Sequence, residues 1–255
     1  MTVVRGLAVE VPTRDGTADA YLVHPDDGAA YPGVLLWMDA FGIRPALKRM
    51  ADRLAAAGYA VLLPNAFYRK GPAPVLELPA HIGAGERAAL IPRIIPMVQG
   101  LTPESAMRDA DSYLTWLAAR PETAGASVGV TGYCMGAALA LRTAGAYPDR
   151  VAAAAGFHGS HLASEAPDSP HLSAERITAE LYFGHGDQDP SMPPEQVERL
   201  AAALTAAGVR HRAEVYTGAL HGYTQVDTDS YDERAAERHW EALLDLFGRT
   251  LRAFP

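Results

Sequence analysis

Two kinds of apolar spacing alternate along the chain. Short apolar runs suit strands buried on both faces, and longer stretches repeat at the helical period. Leu7 to Val11 and Ala20 to Val23 read as two strands joined by a turn at Asp15-Gly16. GVLLWM, from Gly33 to Met38, is a buried strand, and YAVLL, from Tyr59 to Leu63, is a second one stopped by Pro64. Between them Ala46 to Ala57 has helical composition and ends at Gly58, a good C-terminal stop. The proline-rich stretch from Pro64 to Gly100 offers only short apolar pieces and is expected to be an excursion with one short helix. Thr102 then caps a helix, Pro103 fits its first turn, and Met107, Leu114 and Leu117 share a face.

SVGVT, from Ser127 to Thr131, is a strand, and GYCMGAALALRTAGAY after it reads as a tight turn into a helix. Val151 to Gly156, Ile177 to Phe183 and His211 to Tyr216 are further strands, and Pro194 to Ala207 and Tyr231 to Phe247 are helices. No repeat or long linker divides the chain, so residues 1–255 are expected to form a single domain. Repeated strand–helix alternation predicts an α/β fold, a mostly parallel central sheet with helices on both faces. Such a sheet presents its chemistry at the carboxyl ends of its strands.

Composition narrows the function classes. Hydrophobic residues make up 49% of the 255 positions and charged residues 20%, a globular balance. The net charge of −8 argues against a nucleic-acid partner. The opening MTVVRGLAVEV lacks the pattern of a secretory signal. The longest uncharged run, Thr123 to Leu141, contains glycines, hydroxyl residues and a turn, so no membrane span is expected. One cysteine permits no internal disulfide and no thiolate zinc cluster. A cytoplasmic location with a reduced thiol is the expectation.

That cysteine lies in Gly132-Tyr133-Cys134-Met135-Gly136, directly after a strand and before a helix. This is a G-x-C-x-G form of the nucleophile elbow. The sharp turn exposes the central side chain, and the residues two before and two after must be small because strand and helix backbones meet there. The helix start favours a thiolate or an oxyanion. Two later loops complete a pattern. Asp189 follows a strand in YFGHGDQDPSMPP and can orient a histidine, whereas Asp187 is expected to shape the turn. His221 follows the next strand in VYTGALHGY. The order nucleophile, acid, histidine belongs to α/β-hydrolases.

These residues resemble the dienelactone hydrolases, cysteine-dependent α/β-hydrolases, over nearly the whole chain. GYCMGAALA, GDQDPSMPP, the segment around His221, and Met38-Asp39-Ala40-Phe41-Gly42 with the later GYAVLLPNAFYR carry the resemblance. It implies an α/β-hydrolase fold and hydrolysis of small esters or lactones through an acyl-cysteine. Cys134 matches the nucleophile, Asp189 the acid and His221 the base. The backbone N–H groups of Ala40 and Met135 match the oxyanion donors, which can supply ~3–4 kcal/mol in the transition state. Asp39 stands where the family typically has a glutamate that holds the resting thiol. Gln225 stands where the best-studied members have an arginine for the substrate carboxylate. A neutral amide lacks the charge-assisted fork, so neutral esters are expected to be preferred unless Arg44, Arg69 or Lys70 supplies the cation. Tyr133 and Tyr223 flank catalytic positions and are expected to contact substrate.

No metal or other cofactor is expected. His158, His161, His171 and His185 lie close in sequence but not at a repeating ligand spacing, and His158 is not counted into the pocket. Three other classes fit less well. A thiol redox sensor needs neither Asp189 nor His221 in register and has no second cysteine to resolve a sulfenic acid. A glutamine amidotransferase-like enzyme would carry His-x-Glu, whereas Gly222 and Tyr223 follow His221. A non-catalytic binding domain would usually have lost one of the three positions. The small-molecule substrate remains the expected partner.

Overall fold

The computed structural model describes residues 2–251. Among them eight strands form one sheet: β1 (Val4–Thr13), β2 (Gly16–Pro25), β3 (Tyr31–Trp37), β4 (Ala60–Pro64), β5 (Thr123–Tyr133), β6 (Val151–Phe157), β7 (Glu180–Gln188) and β8 (His211–Leu220). Their spatial order is β1-β2-β4-β3-β5-β6-β7-β8. The β1–β2 and β2–β4 pairs are antiparallel, and every pair from β4 through β3 to β8 is parallel. The alternating pattern therefore gives the mostly parallel sheet that was expected. Val34, Leu35, Leu36, Trp37 and Met38 are fully buried, as a strand covered on both faces requires.

Among the described residues six α-helices accompany the sheet: α1 (Pro45–Ala56), α2 (Ala84–Gly100), α3 (Pro103–Ala118), α4 (Met135–Ala146), α5 (Pro194–Ala206) and α6 (Glu233–Thr250). Strand alternation shows the two faces on β5. A side chain at Gly129 would strike Phe247 of α6, whereas one at Gly132 would strike α4. Thr102 caps α3 by accepting from the Ser105 N–H at 3.2 Å, as its sequence position predicts.

Several elements depart from the sequence reading. β5 begins at Thr123 rather than Ser127, because Thr123 and Ala124 pair with Tyr31 and Pro32 of β3 ahead of a register shift. β7 begins at Glu180, and Ile177 ends a short 3-10 turn. The largest departure is α2, a 17-residue helix inside the supposed excursion. Pro92 and Pro96 lie within it, and each removes a backbone donor, so the local signal argues against a helix that tertiary packing nonetheless forms. Its buried Leu90 and Ile94 join a satellite cluster with Phe41, Leu76 and Ile82, apart from the main core.

Candidate active site

Cys134 sits between β5 and α4 with φ 56° and ψ −118°, a conformation that strains any residue with a side chain. Its neighbours explain how the turn is held. A Cβ on Gly132 would lie 2.1 Å from the Gly136 carbonyl oxygen, and one on Gly136 would lie 2.6 Å from the Trp37 and Met38 carbonyl oxygens. Both contacts are with backbone, so neither position tolerates a larger residue. The Cys134 N–H donates to the Phe157 carbonyl at 3.1 Å, which ties the elbow to β6. The side chain stays partly exposed and opens into a cavity of about 720 Å³.

The loops after β7 and β8 bring the other two residues together. His221 Nδ1 lies 2.7 Å from Asp189 Oδ2. Asp189 is buried, and its Oδ1 accepts from the Ser191 N–H at 2.8 Å, which fixes the carboxylate. Asp187 is exposed and accepts from the Gly218 N–H at 2.7 Å, so it shapes a turn, though on β8 rather than its own loop. His221 in turn faces Cys134. Burial alone would raise the Cys134 thiol, but the charge and hydrogen bond of His221 outweigh it and hold it below its ordinary value. The Met135 N–H favours the thiolate and the Asp39 charge opposes it. Burial likewise disfavours charge on His221, yet the Cys134 charge and the Asp189 hydrogen bond raise it to about 10. Each group therefore favours the charged form of the other. Ala40 and Met135 line the same cavity.

Asp39 does not hold the thiol as the resemblance implied. Its Oδ1 accepts from the Phe41 N–H at 2.9 Å, and Arg44 Nη1 reaches both its oxygens at 2.8 and 2.9 Å. Gln225 Nε2 donates to Oδ2 at 2.7 Å. Arg44 continues to Asp227, with Nε 2.6 Å from Oδ2. Asp39 is thus saturated and reaches Cys134 only through its charge. Gln225 lines the cavity, and one of its two amide hydrogens goes to Asp39.

Tyr133 and Tyr223 also depart from expectation. Both are fully buried. The Tyr133 hydroxyl pairs with His239 Nε2 at 3.1 Å, and the Tyr223 hydroxyl donates to the Gly184 carbonyl at 3.1 Å. They brace the strands beneath the site and do not line the cavity. His158 is buried as well, with Nε2 2.8 Å from Thr224 Oγ1 and its ring edge-on to His221 at 5.3 Å. His161 turns into the cavity with φ 52°, and His171 pairs with Ser169. Among the described residues no three histidine, cysteine or acidic side chains converge as metal ligands.

The cation that sequence reasoning missed is Arg87, on α2. It lines the cavity, donates to Ser230 Oγ at 3.2 Å, and lies 5.7 Å from the Phe41 ring. Arg44 is committed to Asp39 and Asp227, and Arg69 to Asp15 and Asp109. With Pro64 to Gly100 read as an excursion, nothing placed Arg87 near the thiol.

The strand order, and an elbow whose thiol meets a histidine held by an acid from the preceding strand's loop, define an α/β-hydrolase. The comparisons with known proteins agree. The model of the dienelactone hydrolase family matches residues 18–251. A Synechocystis sp. protein with the provisional name carboxymethylenebutenolidase is 27% identical over 99% of this chain and 100% of its own. The carboxymethylenebutenolidase of Rhodococcus opacus is 26% identical over 91% of this chain and 86% of its own. Among solved structures, a provisionally named dienelactone hydrolase from Klebsiella pneumoniae superposes with a TM-score of 0.85 at 22% identity, covering 97% of this chain and 99% of that one. The chain belongs to the dienelactone hydrolase family and is a hydrolase. Among its described residues no helix is long and apolar enough to cross a membrane.

Proposed function

We propose that the protein hydrolyses small esters or lactones through a Cys134–His221–Asp189 triad and an acyl-cysteine intermediate. The observation that carries this reading is the short His221–Asp189 contact beside a thiol of depressed pKa at the wall of a large cavity. The Cys134 thiolate attacks the carbonyl carbon and forms the sulfur–carbon bond. The carbonyl oxygen takes the negative charge and is received by the Ala40 and Met135 N–H groups. As the tetrahedral adduct collapses, the His221 imidazolium gives its proton to the leaving alkoxide. His221, now neutral, takes a proton from water as the water attacks the acyl-cysteine. The thiolate leaves, and the free acid departs with the added oxygen. Asp189 keeps His221 in the orientation and tautomer that both transfers need.

A thiol redox sensor remains the alternative class, but it gives the His221–Asp189 pair no work to do. A single free cysteine suits a reducing, cytoplasmic setting. The test is a hydrolysis screen over short neutral esters, lactones and thioesters, with Cys134→Ala as the blank and mass spectrometry of the quenched enzyme. An adduct of acyl mass on Cys134 supports the mechanism. Undiminished turnover by Cys134→Ala refutes it.

A further inference from the structure

Ile91 and Ile95 are left 39% and 46% exposed, although both are large apolar side chains. Isolated exposure of this kind is ordinary, but a contiguous apolar face is not. Ile91, Ile94, Ile95 and Val98 follow helical spacing and lie on one face of α2. All four line the cavity that holds Cys134 and His221. Leu220, the residue before His221, lines the same cavity and is 47% exposed. Ile94 also packs into the satellite cluster and Val98 against the main core, so the exposed part of this face beside the thiol is Ile91 and Ile95, with Leu220.

We propose that this face of α2, with Leu220, is the subsite for an apolar acyl arm, so that the substrate is a medium-chain aliphatic ester rather than a compact polar lactone. The inference rests on the hydrolase reading above. Seven helical steps separate Ile91 from Val98, or about 10 Å, which matches an extended chain of roughly six to eight carbons. The cavity of about 720 Å³ has room for such an arm beside the reacting ester. Arg87 stands one turn before Ile91 on the same face and closes one end of the stripe with a charge.

The experiment is a series of p-nitrophenyl esters from acetate to octanoate, below their micellar concentrations, read as kcat/KM. Each methylene laid on this surface is expected to gain about two- to fourfold, so hexanoate should exceed acetate by roughly tenfold or more. Ile91→Ser and Ile95→Ser together should cut the hexanoate-to-acetate ratio at least about threefold. A wild-type profile that is flat or falls with length overturns the subsite and leaves the hydrolase reading standing. An unchanged ratio in the double variant with an altered elution volume also overturns it, and assigns the isoleucines to contact with a second copy. No turnover of any ester, with Cys134 inert to iodoacetamide, removes both readings together.

Discussion

Replacing Arg87 with glutamine tests whether the cavity tolerates a negatively charged substrate. With Gln225 in place of an arginine, sequence reasoning expects neutral esters to be favoured, and Asp39 would add repulsion. The geometry changes both sides of that balance. Arg44 lies between Asp39 and Asp227, so the three together carry a formal charge of −1 and no carboxylate stands bare toward the thiol. Arg87 faces the cavity with only a hydroxyl and an aromatic face as partners among the described residues. A hydrogen bond to a charged group is worth ~1.5–3 kcal/mol when protected. Arg87 is only half-buried, so screening reduces this to about 1 kcal/mol, or roughly fivefold. The wild-type protein should therefore treat a hexanoate ester and the matching half-ester of a dicarboxylic acid about equally. Arg87→Gln should lower the anionic-to-neutral ratio of kcat/KM about fivefold, and added salt should narrow the difference between the two proteins. A ratio that Arg87→Gln moves by less than twofold would refute the reasoning, as would a strong preference for the neutral ester in the wild type.

Cys134→Ala should abolish hydrolysis with an unchanged circular dichroism spectrum, because the elbow accepts a small side chain. Asp189→Asn should lower kcat far more than Asp187→Asn, by up to about 10⁴-fold on the serine-protease template, with little change in KM; the reverse ranking would reassign the acid. Activity should have a broad pH optimum. The thiolate forms below the ordinary thiol range, so the acid limb lies on the low side, and activity falls on the alkaline side as His221 loses its proton near pH 10. His221→Ala should move the thiolate absorbance titration of Cys134 upward, and a titration that stays in place would show that His221 does not set it. Exhaustive chelation should leave turnover intact, and activity restored by added zinc would contradict this.

The juxtaposition of Cys134, Asp189 and His221, the proposed triad, could be anticipated because each residue sits in a local context with its own signature. A glycine-bounded strand–helix turn, an acid after one strand and a histidine after the next need no knowledge of distant residues. The two tyrosines were misread for a related reason. Tyr133 is adjacent to Cys134 in sequence, but it ends β5 with its ring buried against Phe157 and His239, whereas Cys134 lies past the strand in the elbow. Arg87 and the isoleucine stripe were hidden by Pro92 and Pro96, which argue locally against the helix that presents them. The Asp39–Arg44–Asp227 chain joins positions 183 residues apart between Arg44 and Asp227, and no local spacing encodes such a contact.

That chain also gives the amide at position 225 a role that an empty arginine site would not have. Asp39 precedes Ala40, whose N–H is the proposed oxyanion donor, and Gln225 lies four residues after His221. The 2.7 Å bond from Gln225 Nε2 to Asp39 Oδ2 therefore ties the loop of the base to the loop of the oxyanion donor. Arg44 holds the other side of the same carboxylate, so Asp39 is fixed from two directions in a buried site. Removing one partner of such a group leaves a buried charge undercompensated, which is far more destabilising than losing a surface pair. An arginine at 225 would bring a second cation against Arg44 and contest the carboxylate it already binds. The substitution pair Asp39 and Gln225 is thus coherent in itself. The shorter acid is anchored by Arg44 and the amide, the thiol is left to His221, and Arg87 is the cation whose effect on substrate charge the Arg87→Gln comparison reads.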